Sequence, residues 1–159
     1  MPVDKQAFRR VLGHFAAGVT IVTTVGDDGA PYGLTATAFT SVSLEPPLVL
    51  VCVDKRSESH PHFHHSRVFA VNFLAVDHEH LSRRFAVSGG DKFEGLAVSR
   101  GVTGAPLLSD ALGYLECRAV DVVEAGDHTI FLGQVEAADA RDGEPLVYFR
   151  GAYRQIKTD

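Results

Sequence analysis

The chain of 159 residues contains no apolar run approaching the ~20 residues that a membrane-crossing helix needs. Its opening stretch, MPVDKQAFRR, carries no apolar segment behind its charges, so no secretory leader and no membrane partner are expected, and the expected location is cytoplasmic. Basic residues are outnumbered: 15 Lys and Arg stand against 20 Asp and Glu, for a formal net charge of −5. Such a balance offers no cationic stripe for a phosphate backbone, which excludes nucleic acid as the expected partner. The two cysteines, Cys52 and Cys117, lie far outside CxxC spacing, each within an apolar, strand-like run. Both read as buried thiols of a reducing compartment. GxSxG, HExxH and a dinucleotide-binding glycine fingerprint are all missing, as are internal repeats, low-complexity tracts and a regular strand–helix alternation. With no activated nucleophile announced, any chemistry is expected to be borrowed from a bound cofactor.

What is present suits one domain spanning residues 1–159, with a hydrophobic content of 45%. A chain of this size buries roughly 68–70% of its unfolded surface, enough for a core without disulfides. Ala7, Phe8, Val11, Leu12 and Phe15 recur at helical spacing, with Asp4 placed as N-cap and Gly18 near the stop. The β-branched run Val19–Val25 reads as a strand, GDDGAP as a turn, and Tyr32–Phe39 as the second arm of a hairpin. Leu48–Val53 is apolar at every position and reads as a strand buried on both faces. RVFAVNFLAV is a further buried strand, and DHEHLSRRFAVS a short helix capped by Asp77 with Leu81 and Phe85 on one face. Ser88–Asp110 then carries five glycines and one proline and reads as a long loop, either a cover for a site or a surface connection. Three more strands follow, in GYLECRAVDVVEAG, HTIFLGQVEAADA and PLVYFRGAYRQI. About seven strands with few helices predict a mainly β fold, an antiparallel barrel with peripheral helices.

Four places carry candidate chemistry. His60, His62, His64 and His65 crowd SESHPHFHHSR, but only His60 and His64 share a helical face, and no cysteine or carboxylate is placed with them. Zinc requires three or four convergent ligands, so no metal site is expected and the histidines are assigned to the polar side of a short helix. Just before them, Lys55, Arg56, Ser57 and Ser59 stand where a buried strand passes into that helix. Cations, hydroxyls and helix-start N–H groups suit an anion, and equally suit plain N-capping beside exposed charges. Along YGLTATAFTSVS, Thr35, Thr37, Ser41 and Ser43 alternate, an edge able to read a planar heterocycle or simply a Thr-rich exposed strand. Finally, His128 follows the turn at Gly126–Asp127, able to stack on or bond a ligand, or else an ordinary turn residue.

Taken in order, FRRVLGHFAAGVTIVTT, GLTATAFTSVSLEPPLVLVCV, FAVNFLA, LSRRFA, DKFEG, GAPLL, LEC, AGDHTIFLGQV and PLVYFRGAY resemble the flavin reductase-like family over nearly the full chain. The resemblance implies an FMN-binding split β-barrel of antiparallel, Greek-key type. It also implies the activity of an NAD(P)H-dependent flavin reductase, an NAD(P)H:flavin oxidoreductase serving two-component flavin-dependent monooxygenases. FMN or FAD would be the flavin and NADH or NADPH the hydride donor. By the same resemblance Thr35, Ala36, Thr37, Thr40 and Ser41 would lie along the flavin ring. Val53, Asp54, Lys55, Ser57 and Ser59 would approach the ribityl chain and phosphate. Asn72, Phe85 and Ala86 would flank the cofactor, His128 would face the nicotinamide as the catalytic residue, and Arg150 and Tyr153 would help enclose it. A homodimer with the flavin near the subunit interface is implied, as is a monooxygenase component that receives the reduced flavin. Asp54 and Glu58 depart from the pattern by adding negative charge beside the expected phosphate, as suits a flavin that exchanges. The rival readings are a flavoprotein of this fold that retains FMN and reduces another substrate, a non-catalytic flavin or haem carrier, and a histidine-based metal module.

Overall fold

Antiparallel strand pairing dominates the computed structural model, which describes residues 1–157. The helices are α1 (Lys5–Leu12), α2 (His60–Ser66) and α3 (Glu79–Phe85). The strands are β1 (Ala17–Gly18), β2 (Thr20–Val25), β3 (Pro31–Ala36), β4 (Phe39–Ser43), β5 (Leu48–Asp54), β6 (Val68–Phe73), β7 (Val98–Arg100), β8 (Pro106–Leu108), β9 (Gly113–Ala125), β10 (His128–Ala140), β11 (Val147–Phe149) and β12 (Ala152–Arg154). Seven of them form one sheet in the order β3-β2-β6-β9-β10-β5-β4. Its first and last strands do not pair among the described residues, so the sheet curls into a barrel-like wrap without closing. A mainly β fold with peripheral helices is therefore present, split rather than sealed.

The wrap has an inner face because apolar side chains alternate along the strands. Val49, Val51 and Val53 of β5 are buried with Phe131 of β10, Phe69 and Val71 of β6, and Phe63 of α2. Gly133 makes room here: a Cβ at that position would lie 2.5 Å from the Phe69 ring. A second apolar group, with Ile21, Leu74, Leu81, Phe85, Leu108 and Leu146, packs α3 against the outside of β2. The other face of β5 differs from expectation. Leu48, Leu50, Cys52 and Asp54 are only half-buried, since among the described residues no helix packs closely on β5.

Several local expectations shift. Asp4 does cap α1, accepting from the Ala7 N–H at 2.8 Å, but the helix ends at Gly13, well before Gly18. None of α1 is buried, and Phe8, Val11, Leu12 and Phe15 all face solvent. The N-cap of α3 is His78 rather than Asp77. Burial holds the His78 ring below the ordinary histidine range, which suits its Nδ1 accepting the Ala75 N–H at 3.1 Å. The region after Phe39 is a separate edge strand, β4, beyond the hairpin arm. The C-terminal run does not join the main sheet. Arg150 and Gly151 adopt positive φ (51° and 74°), folding β11 back on β12 in a small sheet with β1.

Much of Ser88–Asp110 is no loop. It contains the β7–β8 hairpin, held to the sheet by buried polar groups. Thr23 Oγ1 donates to Pro106 O at 2.6 Å, and the Leu108 N–H donates to Asn72 Oδ1 at 2.9 Å. The Glu116 carboxylate accepts from the Val102 N–H, the Thr103 N–H and the Thr103 hydroxyl at 3.2, 3.0 and 2.8 Å. Asn72 is fully buried, with its Nδ2 donating to Ile21 O at 3.0 Å and to Thr23 Oγ1 at 3.3 Å. Truncating Asn72 to Ala strands the Leu108 N–H. Urea denaturation of Asn72→Ala is expected to show a loss of about 1–3 kcal/mol, the scale of a buried neutral group left unpaired.

Candidate functional site

The outward side chains of β5 set the floor of a cleft of about 520 Å³. Cys52 and Asp54 rise from it, and the pairing of β5 with β10 puts His128 directly opposite Asp54. One wall is main chain: Leu34–Ala36 of the edge strand β3, continuing through Thr37 and Ala38. Among the described residues the exposed N–H groups of Thr37 and Ala38 find no protein acceptor, while their carbonyls accept from the Phe39 and Cys52 N–H groups, so the two donors are open to water or a ligand. The opposite wall is Phe85 at the end of α3, followed by Ala86, Val87 and Ser88, with Lys92 behind them. Arg56 and Ser57 close the polar end.

Charge in the cleft is paired. The Asp54 carboxylate accepts from the Arg56 N–H at 2.8 Å and from its guanidinium at 2.9 and 3.2 Å. Those bonds hold the Asp54 carboxyl down to about 2. At the far rim His128 Nδ1 lies 2.7 Å from Asp127 Oδ1. A carboxylate only accepts, so Nδ1 carries a proton in this contact and leaves Nε2 directed elsewhere. The same bond lowers the Asp127 carboxyl.

The flavin reductase like domain matches residues 12–157. The chain belongs to that family. It is 47% identical over 152 residues to the reductase component of a 4-nitrophenol 4-monooxygenase/4-nitrocatechol 2-monooxygenase from Rhodococcus opacus, covering 96% of this chain and 81% of that protein. Identity to the FMN reductase (NADH) SmoA of Agrobacterium fabrum is 41%, covering 94% of this chain and 85% of that one. Among solved structures, the NADH:FAD oxidoreductase SgcE6 of Streptomyces globisporus superposes with a TM-score of 0.92 at 41% identity, over 99% of this chain and 96% of the other.

Within this family fold, the residues singled out from sequence divide. Thr35, Ala36, Thr37, Asp54, Ser57, Phe85, Ala86 and His128 all line the cleft. The Thr35 hydroxyl is already used, donating to Ser82 O at 2.6 Å, so this residue offers main chain rather than side chain. Val53 points into the core, as strand alternation requires of a neighbour of Asp54. Lys55 turns away: its Nζ meets Glu124 Oε2 and Gly126 O, both at 2.9 Å, and braces the β9–β10 turn. Ser59 is buried, donating to Gly33 O at 3.2 Å. Asn72 is a structural clamp beneath the β7–β8 hairpin. Thr40 and Ser41 sit on the edge strand β4, outside the cleft lining. Arg150 shapes the β11–β12 turn, and the Tyr153 hydroxyl bonds Ser82 Oγ at 2.6 Å behind α3. Lys92 was not among the expected site residues, and only the DKFEG motif hinted at it.

The histidines of α2 are less solvated than expected. His60 Nε2 lies 2.8 Å from Thr129 Oγ1, His62 stacks on Tyr32 with ring centroids 3.6 Å apart, and His64 Nε2 is 3.5 Å from Glu124 Oε1. Thr129 spends its proton on Glu124 at 3.2 Å, so His60 is the donor to Thr129. Burial, then the neighbouring His64, lowers the His60 ring below the ordinary range. No three metal-ligating groups converge among the described residues. The thiols are not activated either: burial raises Cys52, and pushes Cys117 up to about 12.

The folded Asp54 carboxyl titrates below its unfolded value, so its pairing contributes above the unfolded pKa and is lost as pH falls through about 2. A carbon-detected NMR titration is expected to place the Asp54 midpoint near 2, and Arg56→Ala should return it toward the ordinary carboxylate range.

Proposed function

We propose that this chain is an NAD(P)H:flavin oxidoreductase that reduces FMN or FAD and passes the reduced flavin to a monooxygenase component. The observation that carries the reading is the cleft itself. Its main-chain wall with unpartnered N–H groups at Thr37 and Ala38, the flat flank of Phe85 and Ala86, and the cationic end at Arg56 and Lys92 fit a planar heterocycle with a phosphate tail. When flavin and reduced nicotinamide are both bound, a hydride leaves the nicotinamide and reduces the flavin, yielding oxidised nicotinamide.

This chain's residues prepare that transfer. Thr37 and Ala38 direct N–H groups at the oxygen and nitrogen edge of a flavin, where negative charge grows on reduction. His128, held by Asp127, presents Nε2 to the carboxamide NH₂ of a nicotinamide and orients its ring for a close approach. Cys52 stays protonated below them and supplies a soft floor, not a nucleophile.

The reading extends to assembly and place. A second copy covers the outer face of β5 and β10, where half-buried Leu48, Leu50, Ile130 and Leu132 run directly into Cys52, Asp54 and His128. The exposed apolar stripe of α1 supplies further surface for that homodimer. Named relatives that are reductase components of monooxygenases support an oxygenase as the downstream partner. Two free thiols and dependence on reduced nicotinamide suit the cytoplasm; among the described residues no helix is long and apolar enough to cross a membrane.

Mixing the protein with NADH and free FMN is expected to consume NADH continuously; a yellow protein that stays yellow instead indicates a carrier. His128→Ala should raise KM for NADH about tenfold, the worth of one hydrogen bond, while leaving the flavin Kd unchanged in a fluorescence titration. Leu50→Asp is expected to shift sedimentation from dimer to monomer and to weaken flavin binding with it, because the cleft loses its neighbouring subunit.

A further inference from the structure

Lys92 is an unusual member of the cleft wall. Its side chain is only 9% exposed, yet it borders both the main cleft and a smaller cavity of about 200 Å³ behind it. Two of its three N–H groups are committed: Nζ donates to Gly33 O at 3.2 Å and to Phe85 O at 3.3 Å. Those carbonyls belong to opposite walls, β3 and the end of α3, so the ammonium ties the walls together. Its main chain is fixed as well, because Arg84 reaches Lys92 O at 3.4 Å and Glu94 O at 3.1 Å. The third N–H meets only Glu58 Oε1, at 3.5 Å, beyond good hydrogen-bond length. Glu58 has other partners, since both its oxygens accept the Gly89 N–H, at 3.1 and 3.2 Å.

The other cations nearby differ: Lys55 is turned toward Glu124, and Arg56, bonded to Asp54 through its main-chain N–H, Nε and Nη2, has an exposed side chain. Lys92 is thus the one buried cation on the cleft wall, among the described residues, with a donor to spare.

We propose that Lys92 is the cation that takes the flavin phosphate, and that Glu58 competes with the phosphate for it. The ammonium keeps both carbonyls and exchanges its long contact with Glu58 for a bond to phosphate oxygen. Glu58 keeps Gly89 and remains a nearby negative charge that favours departure. The pair sets how readily flavin exchanges, and this inference rests on the flavin reading above.

The test compares FMN with riboflavin, which lacks the phosphate, by fluorescence quenching and stopped-flow release. Glu58→Gln preserves the acceptor for Gly89 and deletes only the charge. It is expected to bind FMN about fivefold more tightly, release it more slowly and leave riboflavin unchanged, the change being that of one charge interaction. Lys92→Met should weaken FMN about tenfold while changing riboflavin far less, with circular dichroism confirming the fold. An unchanged or weaker FMN affinity in Glu58→Gln overturns the proposal, as does an equal change for riboflavin. If the unsubstituted protein binds neither flavin, the flavin reading itself fails. Riboflavin and FMN bound alike by all three proteins would remove the ion pair alone.

Discussion

The ladder between β5 and β10 governs the rest of the molecule. Its register runs from Leu48 opposite Gln134 to Asp54 opposite His128, and side chains alternate strictly along it. One set, Val49, Val51 and Val53 with Phe131, closes the core. The other set delivers Cys52, Asp54 and His128 to the cleft and leaves Leu50, Ile130 and Leu132 uncovered beside it. A slip of one residue would bury Asp54 and expose Val53, so stability and site share one constraint. On the same sheet face the half-buried apolar run of β5 and β10 lies directly beside the cleft.

The second theme is charge held in pairs. Arg56 pairs with Asp54 and Lys92 with Glu58, while His128 is hydrogen-bonded to Asp127. An exposed pair such as Arg56 with Asp54 contributes little to stability. The value of these contacts is positional: they orient guanidinium, ammonium and imidazole before a ligand arrives. Of the two acidic departures, Asp54 is held by Arg56, whereas Glu58 meets Lys92 only at 3.5 Å.

Local signals were legible where the chain's neighbours in space are its neighbours in sequence. Asp4 as a cap, the β2–β3 hairpin, the strand ending at Asp54 and the turn before His128 all follow from short-range rules. Thr35 to Thr37, Ser57, Phe85 and Ala86, named through the family motifs, line one cleft. What failed was long-range. The β7–β8 hairpin looked like loop because its anchors, Thr23, Asn72 and Glu116, lie on distant strands. Lys55 looked like the anion's cation, but Glu124, which claims it, lies 69 residues onward across the sheet.

By itself the amino-acid order determined the cap of α1, the β2–β3 turn, the turn before His128 and the family, because each rests on the chemistry of adjacent residues. Tertiary structure decided which cation faces the cleft, which apolar face stays bare and which polar groups are spent inside the protein. Those outcomes depend on what stands opposite a side chain after folding, and a hydrogen bond or ion pair across a sheet leaves no periodic trace along the chain.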